Sequence, residues 1–365
     1  SCEIGPIRVP IDAISINYPT MGLVYYPIVR ISMMNSHANI DTLANRLRID
    51  DNTRSELETM RREVFAAISE GLKSMRVKSK NPWRLTRHEE FRTGSLYRET
   101  AMKGSSDIDV ILLLNYRQKT DTSGPPNAKE ILLLIQSLIP NGYVATLNTR
   151  SVKITKQNNS RNQRYGLFLT SFNQPKEISM DIVPALRKVG KGVKQSTWWY
   201  GISKIRGSAQ WLRFNPTHQK EIFAKLSRRA GQRDDPSSLI ICLKHWRNQF
   251  RNAPCKIPSF VFEVLVWEDY QNNPIENDLT KRFNRILSNF ERLHTTGISF
   301  SGTMGGAHKP KNTKAANGIP LLQDPSNTSY NLISHLTVRD LQWWSNQGEQ
   351  AANLRASFHM VLREW

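Results

Sequence analysis

The sequence predicts a bilobal α+β fold: a mixed-sheet lobe entered through a long N-terminal spine helix, followed by a helical lobe. Three observations predict it. Short apolar runs such as Val110-Ile111-Leu112-Leu113-Leu114 and Ile182-Val183-Pro184-Ala185-Leu186 have the length and branching of strands and are separated by polar, turn-rich stretches. Leu57, Met60, Val64, Ile68, Leu72 and Met75 recur at helical spacing upstream of them. Downstream of Asp235 the apolar residues again follow a helical period. At 365 residues the chain is long enough for two cores. The division expected is an N-terminal extension over 1–34, the sheet lobe with its spine helix over 35–200, and the helical lobe over 201–365.

Composition bears on partners. Lys and Arg total 51 against 31 acidic residues, a formal net charge of +20. Such an excess points to nucleic acid or another polyanion before an anionic membrane surface, and a basic nucleotide-binding protein is the plainer alternative. The three cysteines, Cys2, Cys242 and Cys255, form no Cys/His cluster, which argues against structural zinc and suits a reducing, intracellular setting. No stretch reaches the ~18 consecutive apolar residues of a membrane span. The run Gly22 to Met34 is broken by Pro27 and Arg30 and lacks the order of a signal peptide.

Taken in order, residues 1–34 read as an extended segment rich in Ile, Val, Tyr and Pro, with no chemistry assigned. The helix expected over about 39–76 has a capping box at Thr53-x-x-Glu56 and presents Arg61, Arg62 and Lys73 opposite its apolar face. Phe91 to Leu114 follows, the stretch on which the functional reading turns. Gly94-Ser95 opens a short helix or turn, and Asp107-Ile108-Asp109 runs into the apolar strand. Side chains at i and i+2 of a strand point the same way, roughly 6–7 Å apart. Two carboxylates so placed can share a pair of divalent cations about 3.5–4 Å apart. A lone Asp-x-Asp is common in solvated turns. Here it abuts a buried strand, where charge is costly without partners.

A polar loop then spans Asp121 to Asn127, a helix Ala128 to Leu138, and strands Tyr143 to Leu147, Ser151 to Thr155 and Arg164 to Thr170. In Glu177-Ile178-Ser179-Met180-Asp181-Ile182-Val183-Pro184, one acidic residue stands inside an apolar strand. A metal site shared with Asp107 and Asp109 would stabilise it, making Asp181 the third ligand and the candidate general base. Residues 187–233 hold twelve Lys/Arg against Glu221 alone, interleaved with Trp198, Trp199, Tyr200, Trp211 and Phe214. Lys188, Lys191, Lys194, Lys204 and Arg206 are the phosphate-backbone candidates there. Stacking on bases and packing in a core both remain open for the aromatics.

Gly-Ser followed by Asp-x-Asp, with the later Asp181 strand, resembles the signature of the DNA polymerase β-like nucleotidyltransferases. Within that superfamily the chain resembles oligoadenylate synthases, cyclic GMP–AMP synthase and the bacterial CD-NTases. Ile178-Ser179-Met180-Asp181-Ile182-Val183-Pro184-Ala185 is similar to the third-aspartate strand of oligoadenylate synthases, and Trp211 to Pro216 to a segment of the CD-NTases, which favours a packing role for those aromatics. Lys244-His245-Trp246, on a helix started by Asp235-Pro236, matches a Lys-His-Trp whose lysine holds donor phosphates in the family; His245 reads as a helix-surface or packing residue rather than a catalytic base. Pro258-Ser259-Phe260 opens the next helix, with Ser259 placed for the triphosphate and Phe260 for a base. Oligoadenylate synthases usually carry Gln where Ser259 stands, whereas ring-forming relatives carry Ser followed by an aromatic. A helix over 277–294, a long loop from His294 to Ile319, an Asp-Pro loop at Asp324-Pro325 and a last helix from Val338 to Leu362 complete the pattern.

The resemblance, over roughly residues 40–360, implies a nucleotidyltransferase of innate or antiviral immunity. Asp107, Asp109 and Asp181 would hold two Mg²⁺ ions, with Mn²⁺ as the alternative. Gly94, Ser95, Lys244, Ser259 and Phe260 would bind ATP and GTP, and the product would be a cyclic dinucleotide or 2′–5′ oligoadenylate. In these relatives the spine helix is a docking face for activating nucleic acid. Lacking the zinc cluster of the DNA-sensing synthase, the chain is expected to respond to double-stranded RNA. The alternatives are a template-independent terminal transferase of the poly(A)- or CCA-adding type and a constitutively active bacterial synthase. A catalytically dead relative would normally have lost a carboxylate, and all three are present.

Overall fold

The computed structural model describes residues 36–78, 83–103, 107–118, 125–157, 178–189, 199–205, 208–214, 221, 224, 235–250, 252–273, 278–301, 309–312, 320–324 and 327–353. The extension 1–34 and the strand expected at 164–170 lie outside them.

Two helices, α1 (Ser36–Leu47) and α2 (Asp51–Lys78), replace the single helix expected over 39–76. The break is made by hydrogen bonding. Ile49 N–H donates to the Ala101 carbonyl (3.2 Å) and Lys103 N–H to that of Leu47 (2.7 Å), drawing the backbone out of helical pairing. Asp50 then starts α2, accepting from Thr53 N–H (2.8 Å) and the Thr53 hydroxyl (2.9 Å). The cap is therefore Asp50, three residues before the box expected at Thr53. Leu57, Met60, Val64, Ile68 and Leu72 are all buried, as their spacing predicts.

That face covers a mixed sheet. Strand β1 (Trp83–Arg92) leads through α3 (Gly94–Tyr97) to β2 (Asp107–Gln118), and helix α4 (Ala128–Ser137) follows. The hairpin β3 (Tyr143–Leu147) and β4 (Val152–Lys156) precedes β5 (Ser179–Lys188), and β6 (Trp199–Ile205) pairs with β7 (Ser208–Phe214). The order is β1-β2-β5-β4-β3, with β6 and β7 continuing from the far half of β5. Only the pairing of β2 with β5 is parallel among the described strands. Because β6 and β7 belong to the sheet, this lobe runs past residue 200 to Phe214. Trp211 packs on the sheet core and donates from Nε1 to the Pro126 carbonyl (2.8 Å), a packing role rather than base stacking.

The second core is helical. It comprises α5 (Pro236–Gln249), α6 (Ser259–Asn272), α7 (Leu279–Ser288), α8 (Phe290–Thr295) and α9 (Val338–Asn353). Asp235 caps α5 by accepting from Ser237 N–H (2.9 Å), with Pro236 at the first helical position. The helix expected over 277–294 divides at Asn289, which ends α7 and begins α8. Within the loop expected over His294 to Ile319, β8 (Ile298–Ser301) pairs with β9 (Lys309–Asn312), and β10 (Gln323–Asp324) later pairs with β11 (Asn327–Asn331). Trp246 anchors this core against Trp344 (5.4 Å between ring centroids), Phe290 (5.8 Å) and Phe250 (5.3 Å). Cys242 is buried there, and so are Ile40 and Ala44, so α1 packs with the helical core although it precedes the sheet in sequence. Among the described residues no helix is long and apolar enough to cross a membrane.

Candidate active site

Strands β2 and β5 set the carboxylates. Their parallel register places Asp109 level with Asp181 and Asp107 level with Ser179. Ile108 and Val110 on one strand, and Met180 and Ile182 on the other, fill the core, so strand alternation turns the aspartates to the opposite face. Asp109 is exposed to solvent although protein surrounds much of it. Burial first, then the negative charge of Asp181 and Asp107, push its carboxyl above the usual range, against the pull of Arg98 and Arg150.

Each outer carboxylate is held by donors. Asp181 Oδ1 accepts from the Ser151 hydroxyl (2.8 Å) and Asn148 Nδ2 (3.4 Å). Asp107 Oδ1 accepts from the Ser179 hydroxyl and lies 3.9 Å from Lys153 Nζ. With the side chains so turned, no three His, Cys, Asp or Glu side chains among the described residues stand in metal-holding geometry. The donor set itself is oxygen only, with like charges crowded at Asp109, which is the chemistry a hard divalent cation satisfies.

Gly94 explains the Gly-Ser signature. Its φ is +79°, a conformation that L side chains rarely adopt. A Cβ added there would lie 2.6 Å from Asp109 Oδ2 and 2.7 Å from Asp109 Cβ, so the glycine lets backbone and carboxylate lie together. Ser95 follows half-buried, its carbonyl accepting from Thr100 N–H (2.8 Å). Glu99 also has positive φ, +59°, between Arg98 and Thr100, which both reach the helical lobe.

That contact changes the reading of Lys244. Its ammonium, expected to hold donor phosphates, is 4% exposed and turned inward. It donates to the Thr100 hydroxyl (2.9 Å) and carbonyl (3.4 Å) and to Glu263 Oε1 (3.3 Å). Burial lowers its pKa, opposed by Glu263 and reinforced by the positive charges of Arg98 and Arg247. Arg98 shares the same carboxylate, with Nε 2.5 Å from Glu263 Oε2 and Nη2 donating to Oε1 (3.1 Å). The Arg98 guanidinium lies 5.9 Å from the Phe260 ring centroid. Ser259, the first residue of α6, accepts from Arg247 Nη1 (3.0 Å). His245 is half-buried with its pKa lowered by burial, which fits packing.

The nucleic-acid candidates separate. Arg61 is not on a free surface: it is 6% exposed and pairs with Glu58 (2.8 Å) and Glu90 (2.6 Å). Arg62, Lys73 and Lys188 are exposed. Lys204 lies on β6 with its side chain outside the described residues, as are Lys191, Lys194 and Arg206 entirely.

Sequence reasoning passed over Arg98, Arg247 and Glu263. The signal for Glu263 was available: it is one acid in the apolar run Val261-Phe262-Glu263-Val264-Leu265, the pattern that marks Asp181.

No family model matches the sequence, and no curated protein matches it. Solved structures do resemble the fold. CdnC from Escherichia coli with ATP is 15% identical, the alignment covering 90% of this chain and 95% of that one at a TM-score of 0.61. A variant of the di-nucleotide cyclase DncV from Vibrio cholerae, in complex with ATP and GTP, is 11% identical, with 88% and 90% covered at 0.55. DncV described as a cyclic AMP-GMP synthase, with the linear intermediate pppA(3′,5′)pG, is 10% identical, with 88% and 91% covered at 0.54. The chain has the bilobal fold of these proteins.

Proposed function

We propose that this chain is a Mg²⁺-dependent nucleotidyltransferase that joins ATP and GTP into a nucleotide second messenger, a cyclic dinucleotide or a 2′–5′ oligoadenylate. The observation that carries it is the level pairing of Asp109 with Asp181, with Asp107 one pleat away and Gly94 packed on Asp109. The fold shared with CdnC and DncV supports the nucleotide substrates.

In this reading Asp107, Asp109 and Asp181 hold the cations, Asp107 and Asp181 giving up donors such as Ser179 and Ser151 to do so. Bound there, Mg²⁺ would supply charge neutralisation on the triphosphate and acidify the attacking hydroxyl. Asp181 accepts the proton of the acceptor ribose hydroxyl. That oxygen bonds to the α-phosphorus as the α–β phosphoanhydride bond breaks and pyrophosphate leaves. Gly94 and Ser95 keep backbone close to the phosphates, Ser259 donates to them, and Phe260 stacks on a base. Lys244 serves from within, holding Thr100 and Glu263 in place.

The +20 charge supports a polyanionic regulator, and exposed Arg62, Lys73 and Lys188 are the described residues suited to duplex RNA. The test is incubation with ATP, GTP and Mg²⁺, alone or with duplex RNA or duplex DNA, and identification of products by mass spectrometry. Short cyclic or linear products that vanish with Asp109→Asn are expected, and in greatest yield with duplex RNA. Equal product without duplex would remove the RNA activator, and a lengthened RNA strand in their place would make the protein a terminal transferase.

A further inference from the structure

The start of α6 gathers more positive charge than nearby carboxylate. Arg98, Lys244 and Arg247 stand close together, and Glu263 serves the first two. Arg247 is left with neutral acceptors. Its Nη1 donates to the Ile257 carbonyl (2.8 Å) and Ser259 Oγ (3.0 Å), and its Nη2 and Nε to Asn248 Oδ1 (2.8 and 3.1 Å). The Phe262 ring centroid lies 5.7 Å from its guanidinium carbon. Among the described residues no carboxylate pairs with Arg247, although it is only 7% exposed. Burial lowers its pKa to about 10. Burying a charge is costly unless it is paired. A guanidinium kept here without a counter-charge is suited to an anion that arrives from outside.

The bond to Ser259 shows where that anion would sit. A hydroxyl has one proton to donate and two lone pairs to accept with. With Arg247 on a lone pair, the Ser259 proton is left for another acceptor, and the neighbouring charge strengthens it as a donor. Ser259 opens the fourteen-residue α6, which has no side-chain cap, and the helix dipole favours an anion at the same point. We propose that Arg247 is a positioning residue for nucleotide phosphate: it fixes Ser259 as the hydrogen-bond donor and supplies through it the charge that a phosphate group balances. The inference rests on the phosphate-binding reading of Ser259.

The experiment is titration calorimetry of the full chain with ATP and with inorganic tripolyphosphate, in an Asp109→Asn background that prevents turnover. Arg247→Gln, Arg247→Lys, Ser259→Ala and the double variants are compared, with folding checked by circular dichroism. Arg247→Gln is expected to weaken both ligands about tenfold, the worth of one charge-assisted hydrogen bond. Ser259→Ala should do the same, the double variant should lose little more, and adenosine binding should not change. Arg247→Lys, which keeps the charge but not the fork, should lose less than Gln; if Gln does not fold, the Lys variant decides in the same cycle. Unchanged affinity in a folded Arg247 variant, or a loss undiminished when Ser259 is already Ala, overturns the inference while the cleft reading stands. If the parent binds neither ATP nor tripolyphosphate, the phosphate reading itself fails and takes the inference with it.

Discussion

Helix α6 carries a buried ionic cluster at each end, and the two are built differently. Toward its C-terminus Asp269, fully buried, accepts from Arg282 Nη1 (2.5 Å) and from Arg285 Nε (2.6 Å) and Nη2 (3.0 Å), while Glu268 pairs with Arg292 (3.1 Å). Arg282 also lies 3.9 Å from the Tyr270 ring centroid. Every arginine there meets a carboxylate. At the opposite end Glu263 serves Arg98 and Lys244, and Arg247 meets none among the described residues. The first cluster closes on itself and joins helices. The second holds more cation than carboxylate, the surplus that the proposed phosphate would balance. Ion pairs of similar burial can therefore do opposite things, and the count of counter-charges tells them apart.

The contrast can be broken most directly at its closed end. Asp269→Asn removes the carboxylate charge beside buried Arg282, and a loss of about 3–5 kcal/mol of stability is expected, read from denaturant unfolding and unaffected by tripolyphosphate. Glu263→Gln should cost less, about 2–3 kcal/mol, because Thr100 still accepts from Lys244 and Arg98 remains partly solvated. Saturating tripolyphosphate should recover part of that loss; recovery equal at both ends would erase the distinction. Gly94→Ala is expected to cost about 1–2 kcal/mol through its positive φ and its collision with Asp109, and to lower turnover beyond the loss of folded protein.

The smallest effect is at Asp235, in the joint between the lobes. Burial opposes its ionisation, but hydrogen bonds from the Ser237 and Ser238 hydroxyls and Ser237 N–H, with the charge of Arg48, hold the carboxyl below its usual range. The folded-state pKa is thus lower than the unfolded one. The stabilisation is complete above the unfolded value, near pH 4, and is lost as pH falls through the folded value. Asp235→Ala should cost about 1 kcal/mol at neutral pH, and progressively less on acidification. A pH-independent difference in melting temperature between the two proteins would contradict it.

Much of this was legible in the sequence where a residue's meaning is local. The α2 face followed from spacing, the start of α5 from Asp235-Pro236, and the aspartates from acids set in apolar strands. What stayed hidden depends on partners distant in the chain. Arg61 reads as an outward cation because nothing in its helix announces Glu90, delivered by β1, a strand whose charged sequence gave no strand signal. Lys244 fills the family motif, yet its inward turn depends on Thr100, 144 residues away. The helix break at Arg48-Ile49-Asp50 likewise depends on Ala101 and Lys103, which no helical period reports.

The level pairing of β2 with β5 has a consequence for how the protein is made. Asp109 and Asp181 are neighbours in space, yet the hairpin β3–β4 and helix α4 are synthesised between them. A chain emerging from the ribosome carries two aspartates long before the third, and closing a parallel pair over so long a loop is slow. Hence a nascent chain that ends before β5 lacks the third carboxylate, and the level pairing of Asp109 with Asp181 forms only with this long-range closure of the sheet.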